Sequence, residues 1–321
     1  MTRVHVLSTG GTIASTAGEG GATPSLSGSD LVEAAPGLAD DADVSVEEVA
    51  ERPGFDVDPA TMAAVRRRAA AVADDVAGVV VTHGTDTLAE TALFLDLTLR
   101  DVPAVVTGAQ RRPDETSADG PANLVTAVRA AAHPRIEGGA YVAFNDELHA
   151  GRDAVKAHTH RLDAFRSPNA GPVAVFQRDS VGFYREPGPR SVGIPEAGVD
   201  ATVEVVVSGA GVGARQIESA LAAGVDGLVL AGTGLGNATA ALGDAVGEAV
   251  AAGLPVVVTS RCHAGATAAV YGTAGGGVTL RDHGAIDGGD LHPWKARIKL
   301  LLALGHAETV AGVRDIWTEG V

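Results

Sequence analysis

Residues 78–107 read GVVVTHGTDTLAETALFLDLTLRDVPAVVT and carry the pattern that decides the fold. The apolar run at 78–81 has the length of a buried strand, and the apolar stretch at 88–99 has the length of a helix. A second valine-rich run follows at 104–107. A strand, a helix and a strand in this order predict a βαβ unit, whose strands are parallel and whose crossover is right-handed by default.

The same alternation continues along the chain. Further strands are predicted at 4–7, 202–207, 227–231 and 255–259, and further helices at 59–73, 122–132, 214–223, 238–252 and 291–304. Residues 185–195 read REPGPRSVGIP, and their prolines and glycines predict a linker. We therefore predict an α/β protein with a doubly wound parallel sheet in a larger N-terminal domain at 1–184, a linker at 185–199 and a smaller α/β domain at 200–321.

The charge of the chain argues against two classes of partner. There are 40 acidic and 24 basic residues, which gives a net charge of −16 at pH 7. Such a surface repels phosphate backbones and anionic membranes, so we expect no nucleic-acid and no membrane partner. Only three of the basic residues are lysines. An acid-rich, lysine-poor composition is typical of proteins that work at high salt, although GC-rich codons would explain the scarcity of lysine alone.

Cysteine content and the first residues indicate the compartment. The single cysteine, Cys262, excludes an internal disulfide and a cysteine-based zinc cluster. Residues 1–8 lack the apolar core and cleavage site of a signal peptide, and no apolar run approaches the length of a membrane span. We expect a cytoplasmic protein. The histidines form no set with carboxylate or thiol partners, so we expect no metal.

Hydroxyl and carboxyl side chains follow two of the predicted strands. Residues 9–14 read TGGTIA, a glycine turn that presents Thr12, and residues 83–87 read HGTDT. Thr85 and Asp86 are expected at a helix start, where free N–H groups favour an anion. Taken singly, each motif is also explained as an ordinary turn or helix cap. Because ligands bind where parallel strands end, we expect these side chains to lie close together.

Residues 151–156 read GRDAVK and contain one of the few lysines, Lys156. A partly desolvated lysine can titrate and activate a hydroxyl, which an arginine cannot do. The chain uses arginine almost everywhere, so a lysine here indicates a need for an amine. A surface lysine without function is the ordinary alternative.

A glycine-rich stretch at 208–214, SGAGVGA, fits the dinucleotide fingerprint. The acidic residue expected after the next strand is missing, because Asp226 precedes that strand. We interpret the stretch as a tight turn and expect no cofactor.

Taken together, these motifs resemble the bacterial-type (type I/II) L-asparaginases, which are two-domain amidohydrolases with a threonine nucleophile. TGGTIA is similar to their first signature, HGTDT to their second, and GRDAVK to the block that holds their catalytic lysine. Further similar blocks are GAQRRP at 108–113, SADGPANL at 117–124, GTGLGN at 232–237 and PWKAR at 293–297. The resemblance spans nearly the whole chain.

The resemblance implies a role for each matching residue. Thr12 would be the nucleophile that attacks the side-chain amide and forms an acyl-enzyme. Thr85, Lys156 and Asp86 would form a second hydroxyl–amine–carboxylate set that activates a hydroxyl or the hydrolytic water. Asp86 would also bind the substrate's α-amino group, and the Thr85 N–H would stabilise the oxyanion. Ala109 would offer its carbonyl to the departing ammonia.

The remaining substrate-binding positions implied by the resemblance are Gly11, Gly54 and Gly84. Gly54 stands where the family carries a serine for the substrate carboxylate. The segment 15–29, expected to be a mobile lid, lacks the family's tyrosine, and the stretch 271–277 lacks the acidic residue that a neighbouring subunit lends to the site. These differences bear on substrate identity and rate. A homodimer or homotetramer without cofactor is implied.

Several alternatives stay open on these residues. The preferred amide could be glutamine or D-asparagine. The ammonia-producing subunit of a tRNA-linked amidotransferase shares the signatures but carries an extra domain before the first one. The early position of the first signature favours the asparaginase. A binding protein without catalysis is disfavoured by the retained threonines and lysine.

Overall fold

Two units make up the chain in the computed structural model, which describes residues 2–38, 42–195 and 197–318. The first unit is Met1–Gly193 and the second is Ile194–Val321. The domain boundaries expected from the sequence, at 184 and 200, stay predictions.

Strands and helices alternate along most of the described chain. The strands are β1 (Arg3–Gly10), β2 (Ser15–Gly18), β3 (Gly21–Pro24), β4 (Asp43–Arg52), β5 (Gly78–Thr82), β6 (Ala104–Thr107), β7 (Ala140–Phe144), β8 (Glu147–Ala150), β9 (Val155–Lys156), β10 (Phe165–Arg166), β11 (Ala174–Phe176), β12 (Val181–Phe183), β13 (Val203–Val207), β14 (Gly227–Gly232), β15 (Val256–Ser260) and β16 (Ile286–Asp287). The helices are α1 (Gly28–Glu33), α2 (Pro59–Ala71), α3 (Leu88–Thr98), α4 (Gly120–Ala131), α5 (Arg215–Ala223), α6 (Ala240–Ala251), α7 (Gly277–Asp282), α8 (Pro293–His306) and α9 (Val310–Thr318). Among the described residues, no helix has the length and apolar character needed to cross a bilayer.

An eight-stranded sheet organises the first unit, in the order β12-β11-β8-β7-β6-β5-β1-β4. β4, β1, β5, β6 and β7 run parallel, and β8, β11 and β12 add antiparallel pairs at one side. Because the chain moves from β1 to β4 on one side and then to β5 on the other, the strand order reverses beside β1. The predicted α/β class with a doubly wound sheet is confirmed, and the antiparallel strands are an addition to it.

Helices cover both faces of this sheet. α1 and α4 pack on one face, where Val4, Val80, Leu124 and Val128 belong to one buried cluster. α2 and α3 pack against each other and against the opposite face. The central strands are therefore buried on both sides, and this explains why β5 is a run of valines rather than an alternating pattern.

One crossover differs in hand from the others. The connections through α2 and α3 lead along the sheet in the direction opposite to the connection through α1, and these two helices lie on the opposite face. Because direction and face are both reversed, all three connections have the same hand. α4 steps the chain from β6 to β7 in the same direction as α3 but lies on the face of α1. Because right-handed crossovers are the rule, the β6–α4–β7 connection is left-handed. The expectation of right-handed crossovers is wrong for this connection, and the long loop 108–119 is what lets the chain reach the other face.

The second unit contains a parallel sheet in the order β13-β14-β15-β16. The glycine-rich stretch 208–214 forms the turn between β13 and α5. Asp226 precedes β14, where its carboxylate accepts a hydrogen bond from the backbone N–H of Thr202 at 2.7 Å. Over the described strands the order never reverses, so this sheet lacks the crevice at which doubly wound folds bind nucleotides. The geometry agrees with the interpretation as a tight turn.

Candidate active site

The carboxyl ends of β1, β4 and β5 meet through three glycines. Gly11 follows β1, Gly54 follows β4 and Gly84 follows β5, and their backbones lie directly against one another. A Cβ atom at Gly11 would stand 2.3 Å from the Gly84 Cα, and one at Gly54 would stand 2.8 Å from the same atom. Side chains would hold these loops apart. The glycines therefore allow the loops that carry Thr12 and Thr85 to approach each other.

Thr12 begins a short 3₁₀ turn directly after β1. Gly10 and Gly11 turn the chain there with φ values of +92° and +82°, a region that favours glycine. Two hydrogen bonds fasten the turn, from Gly11 N to Arg52 O at 3.0 Å and from the Ser15 hydroxyl to Gly11 O at 2.8 Å. Within the described part of the chain the Thr12 hydroxyl has no hydrogen-bond partner, which leaves it available to a ligand.

Lys156 joins the two polar residues of the loop after β5. Its Nζ donates to Thr85 Oγ1 at 2.8 Å and to Asp86 Oδ1 at 2.7 Å. Thr85 is buried, whereas 53% of the Asp86 side chain is exposed. The amine thus lies between an enclosed hydroxyl and a carboxylate that stays open to a ligand.

The ordinary interpretation of Thr85 and Asp86 as helix caps is wrong. α3 begins at Leu88 with Thr87 in the N-cap position, and the Thr87 side chain makes no capping hydrogen bond. The Thr87 hydroxyl donates instead to Gly54 O at 2.6 Å. Neither the Thr85 nor the Asp86 side chain therefore caps the start of the helix, and both contact Lys156.

His83 lies buried beside this loop, although the sequence patterns indicated no role for it. Its Nδ1 lies 2.8 Å from Gly84 O, and its Nε2 lies 2.9 Å from Thr91 Oγ1. Burial lowers the pKa of His83 to about 4, so the ring is neutral at pH 7. A neutral ring engaged at both nitrogens fixes the backbone next to Thr85. Its place at the start of the HGTDT stretch, directly after a buried strand, was the signal in the sequence.

Ala109 lies in a loop that a second polar network shapes. It is buried, and a Cβ atom at the preceding Gly108 would stand 3.4 Å from Thr85 Cγ2, so this loop lies against the threonine. The Asn123 side chain donates to Gly108 O at 2.9 Å. The Asp119 carboxylate accepts from the backbone N–H groups of residues 110 and 111. Asp119 and Asn123 belong to the SADGPANL block, whose likeness to the family was the one sequence signal for them.

The tyrosine-free segment after Thr12 forms the hairpin of β2 and β3. Thr16 and Ser25 share a hydrogen bond between their hydroxyls at 2.8 Å, and Ala17 N donates to the Asp114 carboxylate at 2.8 Å. Tyr141, the first tyrosine of the chain, is buried with its hydroxyl bonded to backbone groups. It therefore does not replace the family's lid tyrosine.

Metal ligands do not cluster in the part of the chain that the structure describes, where no three histidine, cysteine, aspartate or glutamate side chains could hold an ion together. The absence of a metal and of a cofactor stays a prediction.

Comparison with known families covers both units. The family model for the N-terminal domain of asparaginases matches residues 3–189. The model for the glutaminase/asparaginase C-terminal domain matches residues 202–317.

Full-length relatives agree with these matches. A probable L-asparaginase of Deinococcus radiodurans is 37% identical over 100% of this chain and 98% of its own length. L-asparaginase 2 of Escherichia coli is 33% identical over 99% of this chain and 93% of its own length. The crystal structure of a probable cytoplasmic L-asparaginase from Campylobacter jejuni superimposes with a TM-score of 0.89 and 31% identity, covering 99% of both chains. On the fold, the motifs and these matches, the chain belongs to the bacterial-type asparaginase family of amidohydrolases.

Proposed function

We propose that this protein hydrolyses L-asparagine to L-aspartate and ammonia. The observation that carries the proposal is the pair of hydrogen bonds from Lys156 to Thr85 and Asp86, formed beside the glycine contact that brings the Thr12 loop close. Relatives named L-asparaginase cover the full chain, which supports the same substrate.

The acyl-transfer step follows from the two hydroxyls. Thr12 Oγ attacks the side-chain amide carbon of the substrate, its proton passes to the leaving nitrogen, and ammonia departs from an acyl-enzyme. Water then attacks the ester carbon and returns the proton to Thr12. Threonine is a weak nucleophile and needs a base. Lys156 is the amine that takes up the proton released by the Thr85 hydroxyl or the hydrolytic water, and the Thr85 N–H stabilises the developing oxyanion.

Asp86 and the glycines bind the rest of the amino acid. The Asp86 carboxylate is shared with Lys156 through one oxygen, and its exposed part can accept the substrate α-ammonium. Gly11, Gly54 and Gly84 present backbone groups instead of side chains. Gly54 cannot offer the serine hydroxyl that the family resemblance implies, so the substrate carboxylate meets backbone groups at this position.

Ammonia release from these three amides tests the proposal. We expect L-asparagine to give the highest kcat/KM. Thr12→Ala and Lys156→Met should each lower kcat at least a hundredfold and leave the circular dichroism unchanged. Thr2→Ala, at an exposed position of the same unit, is the control and should keep full activity. A folded Thr12→Ala variant with wild-type turnover, or no ammonia from any of the amides, would contradict the proposal.

Assembly and location are narrower proposals. We expect a homodimer or homotetramer, because sites shared between subunits are implied by the family resemblance, and light scattering after gel filtration measures the mass.

We expect a cytoplasmic enzyme, as the name of the Campylobacter jejuni neighbour supports. Names of other relatives include a periplasmic one, so cell fractionation decides.

A further inference from the structure

Lys156 lies outside the main sheet, on a strand of two residues. β9 pairs only with β10, with Lys156 opposite Phe165 and Val155 opposite Arg166. A backbone hydrogen bond from Ala157 N to Ala164 O, at 2.7 Å, extends this small hairpin. Two short strands have little pairing of their own, so the position of the lysine depends on what anchors the hairpin to the rest of the unit.

His149 on β8 provides such an anchor. It is 1% exposed, and its Nδ1 lies 3.0 Å from the hydroxyl of Ser167, the residue directly after β10. β8 is part of the main sheet, where Val142 of β7 pairs with His149. The contact therefore closes the loop from 149 to 167, within which Lys156 lies, onto the central sheet.

The second nitrogen of His149 faces a charged group. Its Nε2 lies 3.2 Å from Glu147 Oε2, and the same oxygen lies 3.3 Å from the guanidinium of Arg166. Arg166 also pairs with Asp163 in the loop of the hairpin. At the other nitrogen, Nδ1 and the Ser167 hydroxyl share a hydrogen bond whose direction is set by the tautomer of the imidazole. The charged groups around the ring are thus Glu147, Arg166 and Asp163, and two of the three belong to the hairpin or its loop.

We propose that His149 is a positioning residue for Lys156, acting through Ser167 and β10. The inference rests on the proposed function, because it assigns a task in the chemistry of that lysine. Loss of the Nδ1 contact removes one of the anchors between the hairpin and the sheet, which lets the amine move away from Thr85. A displacement of about 1 Å from a reactive geometry can lower a rate about a hundredfold.

Ser167, His149 and Glu147 are a serine, a histidine and a carboxylate in contact, as in a hydrolase triad, but Ser167 is only 6% exposed. A nucleophile must reach its substrate, and this hydroxyl is enclosed between β8 and β10. The network therefore acts on geometry and not as a second catalytic centre.

A second histidine with a serine and a glutamate as partners lies on β1, next to the edge strand β4 of the main sheet. His5 on β1 lies 2.7 Å from the Ser45 hydroxyl through Nδ1 and 3.5 Å from the Glu47 carboxylate through Nε2. It is buried like His149 and has the same partner types, but both of these partners lie on β4 and not on the lysine hairpin. His5→Leu therefore controls for the loss of a buried imidazole.

Steady-state ammonia release from L-asparagine tests the inference on the full-length protein. We expect His149→Leu and Ser167→Ala to lower kcat at least tenfold with KM within threefold of wild type. His149→Asn, whose amide can occupy the place of Nδ1, should stay within threefold of wild type. His5→Leu should lower the melting temperature but change kcat less than twofold.

The decisive measurement combines His149→Leu with Lys156→Met. If His149 acts through the lysine, the double variant is no slower than Lys156→Met alone, within twofold. A multiplied loss, a full kcat in Ser167→Ala, or a His149→Asn variant as slow as His149→Leu would overturn the inference. Ser167→Ala and His149→Asn carry the test if His149→Leu does not fold. If wild type and Lys156→Met are equally slow, the proposed function itself fails and the inference falls with it.

Discussion

At the scale of single residues, glycines allow the loops of the proposed active site to pack against one another. Gly54 lies against Gly84 with an ordinary backbone conformation, so the demand for glycine there is steric. We predict that Gly54→Ala pushes the loop after β4 away from Thr85 and lowers kcat/KM for L-asparagine at least tenfold. Ammonia release measures this directly.

The control for that substitution is Gly182→Ala on β12, because a Cβ placed at Gly182 would meet only Val175 O, at 4.0 Å. It should keep wild-type kinetics. Equal activity of the two alanine variants would show that the glycine contact is not what holds the site in place.

The buried His83 makes stability depend on pH. Its pKa is about 4 in the folded protein, against an ordinary value of 6.5, so the unfolded chain binds a proton first as pH falls. The contribution of the neutral His83 ring to the free energy of unfolding is complete above pH 6.5 and is lost progressively down to pH 4. It amounts to about 3 kcal/mol. The free energy of unfolding in urea should therefore fall more steeply between pH 7 and pH 5 in wild type than in His83→Gln.

Asp96 acts in the opposite direction, because burial raises its pKa. Asp96 is unchanged in wild type and in His83→Gln, so its effect on the free energy of unfolding cancels when the two pH curves are compared. His160→Gln, at an exposed position of the same unit, is the control and should keep the wild-type slope. Parallel pH curves for wild type and His83→Gln would contradict the assignment.

At the scale of elements, the hairpin of β2 and β3 follows directly after Thr12, the proposed nucleophile. The Ser25 hydroxyl is hydrogen-bonded to the Thr16 hydroxyl, and Thr23 pairs with Thr16 across the two strands of the hairpin. We predict that closure of this hairpin excludes water without supplying a base. The double variant Thr23→Ala/Ser25→Ala should therefore lose less than tenfold in kcat, far less than Lys156→Met. A collapse that matches Thr12→Ala would show that the hairpin carries a catalytic hydroxyl.

The left-handed crossover has a consequence for the site. By placing α4 on the face of α1, it brings Asp119 and Asn123 to the ends of β6 and β7. From there they fix the loop that holds Ala109. A right-handed connection would put the start of α4 on the opposite face, away from these backbone groups.

At the scale of the whole molecule, self-repulsion at a net charge of −16 disfavours the compact folded state. At molar salt the Debye length is about 3 Å, so repulsion between neighbouring carboxylates is screened. We predict that melting temperature and kcat/KM rise from low salt to molar potassium chloride. Sucrose at equal osmolality is the control, because it does not screen charge. Flat or falling curves in salt would contradict the high-salt interpretation of the composition.

The sequence by itself determined the α/β class, the βαβ unit around residues 78–107 and the stretches that carry Thr12, Thr85 and Lys156. These features follow from local rules, since a buried valine run and a glycine turn before a helix have the same form wherever they occur. The charged strand β4 was not predicted, because its sequence, DVSVEEVAER, lies at the edge of the sheet and is partly exposed.

Only the tertiary structure decided what these stretches do together. That Lys156 contacts Thr85 and Asp86 depends on bringing together residues about 70 positions apart, which no local pattern encodes. The same holds for the glycine contact, the hand of the crossover through α4 and the anchoring of the lysine hairpin by His149. Each depends on which surfaces pack against each other, and packing is a property of distant segments.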